Sequence, residues 1–375
     1  MEQQEFILQA VKWVNQGYAL GYYNDQTYFI SGAIPGEIVR AKLVYQNSKF
    51  KHLVVTVVLE ASEFRIQNDC PIFLECGGCS FRHILYSYEL DVKKELLKKE
   101  LKKEEEIPVY SDSSEKYRNN VQITVENNKK GFFKEHSNQV VEHPNTGCKH
   151  LPDELNDFIK KHTPQSSQKS SLKLRFDGKI VTNYEKEPTQ VFIKNLKIQI
   201  PPNGFFQINR FLLEKWIDDI LTLLVGKKDQ NLLELFCGSG LLGLLCAQNF
   251  SRVIGYEVES LSVQYAKKNA KTNHIVNADF ISKNLYTQKI HKEHGEYPIW
   301  LANPPRNGFG KLLLEQILYY KPQILLYSSC NYVSLSSDIR KLLKDYDIAH
   351  LSMYDFFPRT PYFETLALLN IRSSH

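Results

Sequence analysis

No run in the 375-residue sequence approaches the roughly 18 apolar residues that a membrane-spanning helix needs. We therefore expect no membrane segment. The first residues also lack a basic stretch followed by a long apolar one, so we expect no secretory signal peptide. There is no internal repeat. The net charge is only +5, which permits a nucleic-acid partner without requiring one.

Cysteine is sparse, with seven residues in the whole chain. An odd number of cysteines without an export signal favours reduced thiols and a cytoplasmic location. The content of 42% hydrophobic and 24% charged residues is ordinary for a globular protein. The length exceeds what one small core organises, so we expect two or three domains.

Short strand patterns separated by glycine and proline turns occupy residues 5–60. Five such strands within so short a segment predict a small β-barrel. The barrel is either a structural module or an RNA-binding barrel of the OB type. In the second case Tyr22 and Tyr28 would be exposed aromatics on which bases stack.

Three cysteines follow within ten residues, Cys70, Cys76 and Cys79, in the spacing C-x5-C-x2-C. Thiolates are soft ligands that suit zinc or an iron–sulfur cluster. A fourth thiolate is needed, and Cys148 is the next cysteine along the chain. The spacing does not decide between zinc and a cluster, and coincidental buried cysteines are the alternative.

The segment between the cysteine motif and residue 200 shows three further patterns. Residues 86–106 predict a charged, largely solvated helix with a narrow packing face. Strand patterns return at 117–143, and a hairpin turn lies at 127–130. The polar, Ser- and Gln-rich residues 164–171 predict a surface loop.

From about residue 203 strands alternate with helices, which predicts a doubly wound α/β domain. The apolar strand 232–236 leads directly into Cys237-Gly238-Ser239-Gly240 and then into a helix, and Glu257 ends the next strand. Such a corner binds a nucleoside, with Phe236, Gly238 and Gly240 near the ligand and Glu257 on the ribose. The short glycine motif favours S-adenosylmethionine over NAD. A tight turn with structural glycines is the alternative.

Two more strand ends carry candidate chemistry. Asn303-Pro304-Pro305 follows one strand and could hold a base edge or an amino group, unless it is only a rigid turn. Cys330 follows the strand 324–327 and is either an ordinary small residue or a nucleophile. A thiolate that adds to carbon 6 of uracil activates carbon 5 for methylation. A base must then remove the carbon-5 proton, and Glu364 is our candidate.

Together these motifs resemble the RNA 5-methyluridine methyltransferase family, in the branch with an N-terminal TRAM domain and a [4Fe–4S] cluster. The matching motifs run along almost the whole chain: G-A-I-P-G-E at 32–37, C-x5-C-G-G-C at 70–79, F-F-Q-I-N at 205–209, F-C-G-S-G at 236–240, N-P-P-R-N-G at 303–308, S-S-C-N at 328–331 and F-P-R-T-P-Y-F-E-T at 357–365.

The resemblance implies a role for particular residues. It implies Cys330 as the nucleophile and Glu364 as the proton acceptor. It implies cluster ligands at Cys70, Cys76, Cys79 and Cys148. The methyl-donor site that it implies consists of Gln207, Phe236, Leu241, Glu257, Asn284 and Asn303.

The chain departs from the family at three positions. Asn303 stands where the family usually has Asp, so one acidic contact becomes an amide. Leu241 stands where Asn is frequent, so any contact there must come from its backbone. Tyr332 stands where Pro often follows S-C-N. The nucleophile and the base are both retained, so we expect an active enzyme.

The expected architecture is a multidomain α/β protein with three parts. Residues 1–60 form an OB-like TRAM barrel, residues 61–200 a β-rich middle domain with the cluster, and residues 201–375 a Rossmann-like class I methyltransferase domain. The helix at 86–106 would pack on the catalytic domain. We expect a monomer.

The leading functional hypothesis is methylation of carbon 5 of a uridine in RNA, with S-adenosylmethionine as donor. The target base would be flipped out of its stack. The resemblance is strongest to enzymes of 23S rRNA, and the T-loop of tRNA is the alternative substrate. Two further hypotheses stay open: N-methylation at Asn303-Pro304-Pro305, and a catalytically inactive iron–sulfur RNA-binding protein.

Overall fold

The computed structural model describes residues 4–162, 169–225 and 228–372. The N-terminal part is a closed barrel whose strands follow one another in the order β1-β2-β3-β5-β4. The five strands are β1 (Glu5–Trp13), β2 (Ala19–Tyr23), β3 (Gln26–Ser31), β4 (Ile38–Gln46) and β5 (Lys51–Glu60). The predicted N-terminal barrel is therefore confirmed.

The apolar core of the barrel is formed by alternate residues, because successive side chains in a strand point to opposite faces. In β1 these inward residues are Phe6, Leu8 and Ala10. Tyr22 is exposed, as expected. Tyr28 instead points inward and packs on Phe6, with ring centroids 5.0 Å apart, so the prediction of Tyr28 as an exposed stacking residue was wrong.

The cysteine-rich loop leads into α1 (Tyr86–Leu101), which is followed by a two-residue strand, β6 (Val109–Tyr110). The helix is shorter than predicted, because Lys102 adopts a left-handed conformation that ends it. Nor is its charged surface wholly solvated. The Lys93 Nζ lies 2.7 Å from carboxylate oxygens of both Glu89 and Asp355, and all three side chains are fully buried. This ion pair network joins α1 to the C-terminal part of the chain.

A second sheet has five strands in the order β11-β10-β7-β8-β9. The elements of this part are β7 (Asn120–Glu126), β8 (Lys129–Phe133), β9 (Val140–Glu142), α2 (Asp153–Lys161), β10 (Ser170–Phe176) and β11 (Val181–Asn183). Leu155 and Ile159 of α2 pack on Ile123 and Leu174 of the sheet. Most of the loop predicted at 164–171 lies outside the described residues, and Ser170 already begins β10.

An antiparallel hairpin of β12 (Thr189–Ile193) and β13 (Leu196–Ile200) precedes the C-terminal sheet. Its buried residues Val191 and Ile198 belong to the same apolar cluster as Leu232 and Leu326 of that sheet. The hairpin therefore packs with the C-terminal part. The proposed domain limits at residues 60 and 200 stay predictions.

The C-terminal sheet has eight strands in the order β16-β15-β14-β17-β18-β20-β19-β6. Its elements are α3 (Leu213–Leu223), β14 (Asn231–Leu235), α4 (Leu241–Cys246), β15 (Arg252–Glu257), α5 (Ser260–Thr272), β16 (Ala278–Ser282), α6 (Lys292–Gly295), β17 (Ile299–Ala302), α7 (Gly310–Tyr320), β18 (Ile324–Ser329), α8 (Tyr332–Leu342), β19 (Tyr346–Tyr354) and β20 (Glu364–Ile371).

Both faces of this sheet are covered by apolar side chains. Leu232 and Leu326 lie in one buried cluster, whereas their neighbours Leu233 and Leu325 lie in another. Runs that are apolar at every position are typical of strands buried on two sides. The predicted doubly wound domain is confirmed. None of the helices in the described ranges is long and apolar enough to cross a membrane.

Candidate active site

A tight turn joins β14 to α4 and forms a concave corner at the carboxyl end of the sheet. Phe236, Gly238 and Gly240 all have positive φ values, of 62°, 53° and 82°. At Gly240 a Cβ atom would lie 2.7 Å from the Phe280 ring, so glycine is required there by both conformation and space. The Glu257 carboxylate accepts a hydrogen bond of 3.0 Å from the Gly238 amide, which holds the turn against the end of β15.

Most residues assigned to the methyl-donor site line one cavity beside this corner. They are Gln207, Phe236, Gly238, Leu241 and Asn303. Glu257 is attached to the corner through Gly238. Gly240 lies behind the lining, against Phe280. Asn284 lies two residues past the end of β16. The residue between them, Lys283, donates a 2.8 Å hydrogen bond from its amide to the Glu257 carbonyl. The structure thus brings five of the eight residues to the cavity wall.

The two proposed catalytic residues are brought together by strand pairing. In the antiparallel pair of β18 and β20, Ser329 lies opposite Thr365. Continued by one residue, the same register sets Cys330 opposite Glu364, and the Glu364 charge acts on the Cys330 thiol. Directly opposed residues project from the same face of a sheet, so both side chains point to one side. The 33 residues between them, 331 to 363, include α8 and β19.

The Glu364 side chain is buried and makes one hydrogen bond within the protein. The hydroxyl of Ser328 donates to its Oε1 at 2.5 Å, and Ser328 in turn accepts a 3.1 Å bond from the Trp216 indole. Burial raises the pKa of Glu364 to about 8, and the bond from Ser328 opposes this shift. A carboxyl with this pKa can both accept and release a proton near neutral pH.

The surroundings of Cys330 disfavour its reactive form. A thiol must lose its proton to act as a nucleophile. Burial and the charge of Glu364 raise the pKa of Cys330 to about 11, whereas Arg306 lowers it. The Arg306 guanidinium lies 4.3 Å from the centre of the Tyr362 ring, at the mouth of the site. Asn331 fixes this loop, since its side chain donates a 2.9 Å bond to the Arg306 carbonyl.

Three residues with evident roles were not singled out from the sequence: Ser328, Trp216 and Arg306. Ser328 lies in the motif S-S-C-N, two residues before Cys330, and Arg306 lies in the motif N-P-P-R-N-G. Period-two alternation in a strand places Ser328 on the same face as Cys330, which is a signal that could have identified it. Trp216 lies more than 100 residues away, and no local pattern indicates its contact.

The four predicted ligand cysteines, Cys70, Cys76, Cys79 and Cys148, line a second cavity between the cysteine-rich loop and the middle sheet. All four are free thiols. Arg82 and Arg118 line the same cavity and provide positive charge. Four thiolates around one cavity with two guanidinium groups nearby form a donor set that fits an anionic iron–sulfur cluster. Gly78 allows close approach, since a Cβ atom there would lie 3.3 Å from the Cys76 sulfur.

The cysteine-rich loop also touches the segment that leads to Glu364. The amides of Ser80 and Phe81 donate to the Arg359 carbonyl at 2.9 and 3.2 Å. The Arg359 guanidinium donates in return to the carbonyls of Phe81 and Ile84, at 3.3 and 2.8 Å. The position of the proposed base therefore depends on a loop almost 280 residues earlier in the sequence.

Comparison with known proteins identifies the family of the chain. The profile of the family described as tRNA (uracil-5-)-methyltransferase matches residues 165–372. A protein of Leptospira interrogans named as an uncharacterized RNA methyltransferase is 37% identical, covering 96% of this chain and 94% of the relative. A 23S rRNA (uracil(1939)-C(5))-methyltransferase of Marinomonas posidonica is 29% identical, covering 92% of this chain and 91% of the relative.

A solved structure matches nearly the whole chain. The tRNA (uracil-54, C5)-methyltransferase of Pyrococcus abyssi, crystallised with S-adenosyl-L-homocysteine, superposes with a TM-score of 0.74. The match covers 96% of this chain and 99% of that chain at 20% identity, so it establishes a common fold. Because the family profile spans more than half of the sequence and a relative above 30% identity spans nearly all of it, the chain belongs to the tRNA (uracil-5-)-methyltransferase family.

Proposed function

We propose that the protein transfers a methyl group from S-adenosylmethionine to carbon 5 of a uridine in RNA, with Cys330 as covalent nucleophile and Glu364 as base. The observation that carries this proposal is the antiparallel pairing of β18 and β20, whose register, continued by one residue, sets Cys330 opposite Glu364. Membership of the family supports the reaction type.

The first step is addition of the Cys330 sulfur to carbon 6 of the bound uracil. The sulfur–carbon bond forms, and the electrons of the double bond between carbons 5 and 6 move toward the oxygen on carbon 4. Arg306 lowers the pKa of the thiol and so favours the thiolate that this addition requires.

Carbon 5 then takes the methyl group. The donor supplies an electrophilic methyl carbon and leaves as S-adenosylhomocysteine. Gln207, Phe236 and Asn303 line the cavity that would orient it. In the last step Glu364 removes the carbon-5 proton, the double bond between carbons 5 and 6 forms again, and the sulfur leaves carbon 6.

Ser328 and Trp216 prepare the base for this last step. The chain of hydrogen bonds from Trp216 through Ser328 to Glu364 fixes the carboxyl group in one orientation. Trp216 also lines the donor cavity. The base is therefore aligned with the same wall that would hold the methyl donor.

The RNA that we propose as substrate is 23S rRNA, because the relative from Marinomonas posidonica is named for that activity and spans 92% of this chain. The solved structure from Pyrococcus abyssi is of a tRNA enzyme, which keeps tRNA as the second candidate. We further propose that the barrel is a TRAM domain that contacts the RNA.

We also propose that Cys70, Cys76, Cys79 and Cys148 hold a [4Fe–4S] cluster. The cluster would cross-link the cysteine-rich loop to the middle sheet, and methyl transfer requires no electron from it. Iron and acid-labile sulfide in the anaerobically purified protein, with loss of both in Cys148→Ser, are the expected results. Bound zinc without sulfide would contradict this assignment. We place the enzyme in the cytoplasm, where its seven free thiols would stay reduced.

The function is tested with labelled S-adenosylmethionine and total RNA from a strain that lacks the enzyme. We expect 5-methyluridine at one position of 23S rRNA; its appearance in tRNA would instead support the second candidate. RNA containing 5-fluorouridine should form a covalent adduct with the wild type and none with Cys330→Ala. Cys246→Ala is the matched control, because Cys246 is buried in α4.

Two other outcomes would contradict the proposal. Methyl transfer to a base nitrogen that survives in Cys330→Ala would support the N-methylation hypothesis. Binding of RNA with no methyl transfer to any RNA would support an inactive RNA-binding protein.

A further inference from the structure

Tyr332 follows the proposed nucleophile by two residues and contacts the N-terminal barrel. It is the first residue of α8 and is buried, with 7% of its surface exposed. Its hydroxyl donates a hydrogen bond to Oδ1 of Asn15. Asn15 begins a 3₁₀ turn, Asn15–Gly17, that connects β1 to β2. The barrel and the nucleophile loop, more than 300 residues apart in sequence, are thus joined by one side-chain bond.

The ring of Tyr332 also contacts the segment of the proposed base. It stacks on Phe363 with centroids 5.1 Å apart and an angle of 11° between the planes. Phe363 is fully buried and directly precedes Glu364. One side chain therefore touches the barrel and the residue before the base, and is itself two residues from Cys330.

The turn that carries Asn15 lies where two surface clefts meet, and Gln16 and Tyr18 line both. One cleft is lined by the aromatic residues Phe29 and Phe50 and by three cations: Lys99, Lys102 and Arg340. Aromatic rings beside cations suit single-stranded RNA, which stacks its bases and presents phosphates.

The second cleft reaches the segment 360–362, just before the proposed base Glu364. It is lined by Gln122, Thr124 and Phe133 of the middle sheet and by Tyr362, which lies under Arg306. Amide and hydroxyl groups can read base edges, and an exposed ring can stack on a base. RNA that fills both clefts must pass over the turn Asn15–Gly17. Gln16 there has a positive φ of 68°, so the turn is held in one unusual conformation.

We infer that Tyr332 is a positioning residue through which RNA bound in the two barrel clefts fixes the relative positions of Cys330 and Glu364. This inference rests on the proposed function. RNA that contacts the turn Asn15–Gly17 fixes the position of Asn15. Through its hydrogen bond, Asn15 then fixes the Tyr332 ring. The stack of this ring on Phe363 in turn fixes the Cys330 loop relative to Glu364. A short RNA that reaches only the catalytic residues lacks this effect.

The test compares Tyr332→Phe with the wild type on two RNAs. One is a long fragment that spans the methylated site with its single-stranded flanks, and the other is a minimal hairpin around the same uridine. Tyr332→Phe removes the bond to Asn15 but keeps the stack on Phe363. On the long RNA we expect kcat to fall about five- to tenfold, the size expected for one lost hydrogen bond, with little change in KM.

On the minimal hairpin the wild type and Tyr332→Phe should have the same kcat. Asn15→Ala removes the acceptor from an exposed turn and should reproduce the loss on the long RNA. The double variant should lose no more than either single one, because both remove the same bond. Tyr319→Phe, at an exposed position of α7, is the control and should behave as the wild type.

Equal losses on both RNAs would show a merely structural role and overturn the inference. So would an unchanged kcat on the long RNA, or a wild type that is equally fast on both. If the wild type methylates no RNA at all, the proposed function fails and the inference with it. If the wild type is active and only Tyr332→Phe behaves otherwise than expected, the inference alone fails.

Discussion

The donor corner and the catalytic edge of the same sheet are built in different ways. The donor corner, residues 234–257, consists of two neighbouring parallel strands and the turn between β14 and α4. The catalytic edge, where Cys330 and Glu364 meet, needs the antiparallel strand β20 and contacts from the barrel and the cysteine-rich loop. A local motif can specify the first site, whereas the second exists only when distant segments have assembled.

Each of the two regions contains a buried glutamate, and the two glutamates have different hydrogen-bond partners. Glu234 of β14 and Glu364 of β20 both have a pKa raised by burial to about 8. Glu234 accepts a bond from the Gly243 amide at 3.0 Å and stabilises the start of α4. Glu364 instead accepts a hydrogen bond from the Ser328 hydroxyl, and its charge raises the pKa of the Cys330 thiol. The same kind of burial thus accompanies a structural role for Glu234 and the proposed proton transfer by Glu364.

The largest effect on turnover should come from Glu364→Gln, which changes the catalytic edge and leaves the donor corner intact. Glutamine keeps a partner for Ser328 but cannot accept the carbon-5 proton. We expect turnover to fall by about 10²- to 10⁴-fold, the usual contribution of a general base. Methylated RNA should stay covalently attached to Cys330, and denaturing gel electrophoresis would detect this adduct.

Glu315→Gln, on the exposed side of α7, is the control for this substitution and should leave turnover unchanged. Fast turnover by Glu364→Gln without an adduct would exclude Glu364 as the base. Binding of S-adenosylmethionine, measured by calorimetry, should be the same in both variants, because neither residue lines the donor cavity.

The second largest effect should come from Lys93→Met, which removes the ion pair between α1 and Asp355. Asp355 follows β19, the strand that pairs with β20 at the catalytic edge. The substitution leaves Asp355 buried without a cation and Glu89 with only the Arg359 guanidinium, 3.5 Å away. Breaking a buried ion pair in this way costs about 3–5 kcal/mol of folding free energy, measurable by urea unfolding. The exposed pair of Lys311 and Glu315 offers the control, and Lys311→Met should change the free energy by less than about 0.5 kcal/mol. Equal effects of the two substitutions would show that α1 does not hold the edge.

The contrast explains how much the sequence predicted. The donor corner could be predicted from the sequence because its residues are close together in the chain. Phe236, Gly238 and Gly240 lie within five residues, and Glu257 ends the next strand. Cys330 and Glu364 were identified from the chemistry of their motifs, and the structure supplies the register that makes them neighbours.

The contacts that support the catalytic edge could not be predicted from the sequence. The bond from Tyr332 to Asn15 and the buried Lys93 are long-range contacts of single side chains, and no periodicity encodes them. In α1 the charges of Glu89 and Lys93 resembled a solvated face, because helical spacing cannot tell a buried ion pair from an exposed one. Tyr28 was misassigned for a related reason, since the aromatic side chain alone did not show which face of β3 points inward.

A smaller effect should follow from Gly240→Ala, which alters the corner and not the edge. The new Cβ atom would lie 2.7 Å from the Phe280 ring at a φ of 82°. Strain of this kind costs about 2–3 kcal/mol, which chemical unfolding should show. Gly238→Ala is the matched control, because its Cβ would meet nothing within 4 Å, and it should cost only about 1 kcal/mol. A larger loss in Gly238→Ala would contradict the packing described for the turn.

The smallest effect concerns pH and separates the two buried glutamates. The carboxyl of Glu364 loses its proton as pH rises through its pKa of about 8, and only the carboxylate can act as base. The single-turnover rate of product release should therefore rise about tenfold between pH 7 and pH 9. Glu234→Gln should keep this pH dependence. A rise centred near pH 11 would instead report deprotonation of Cys330.

The place of β20 in the sheet has a consequence for synthesis of the protein. This strand follows all the other described strands in the chain but lies between β18 and β19 in the sheet. During translation, β19 and β6 cannot join the rest of the sheet until β20 has left the ribosome, because β20 lies between them and β18. Because β20 also begins with Glu364, the nascent chain lacks the proposed base until its sheet can close. The fold and the proposed chemistry are therefore completed in the same late event, and a chain that ends before β20 should not methylate RNA.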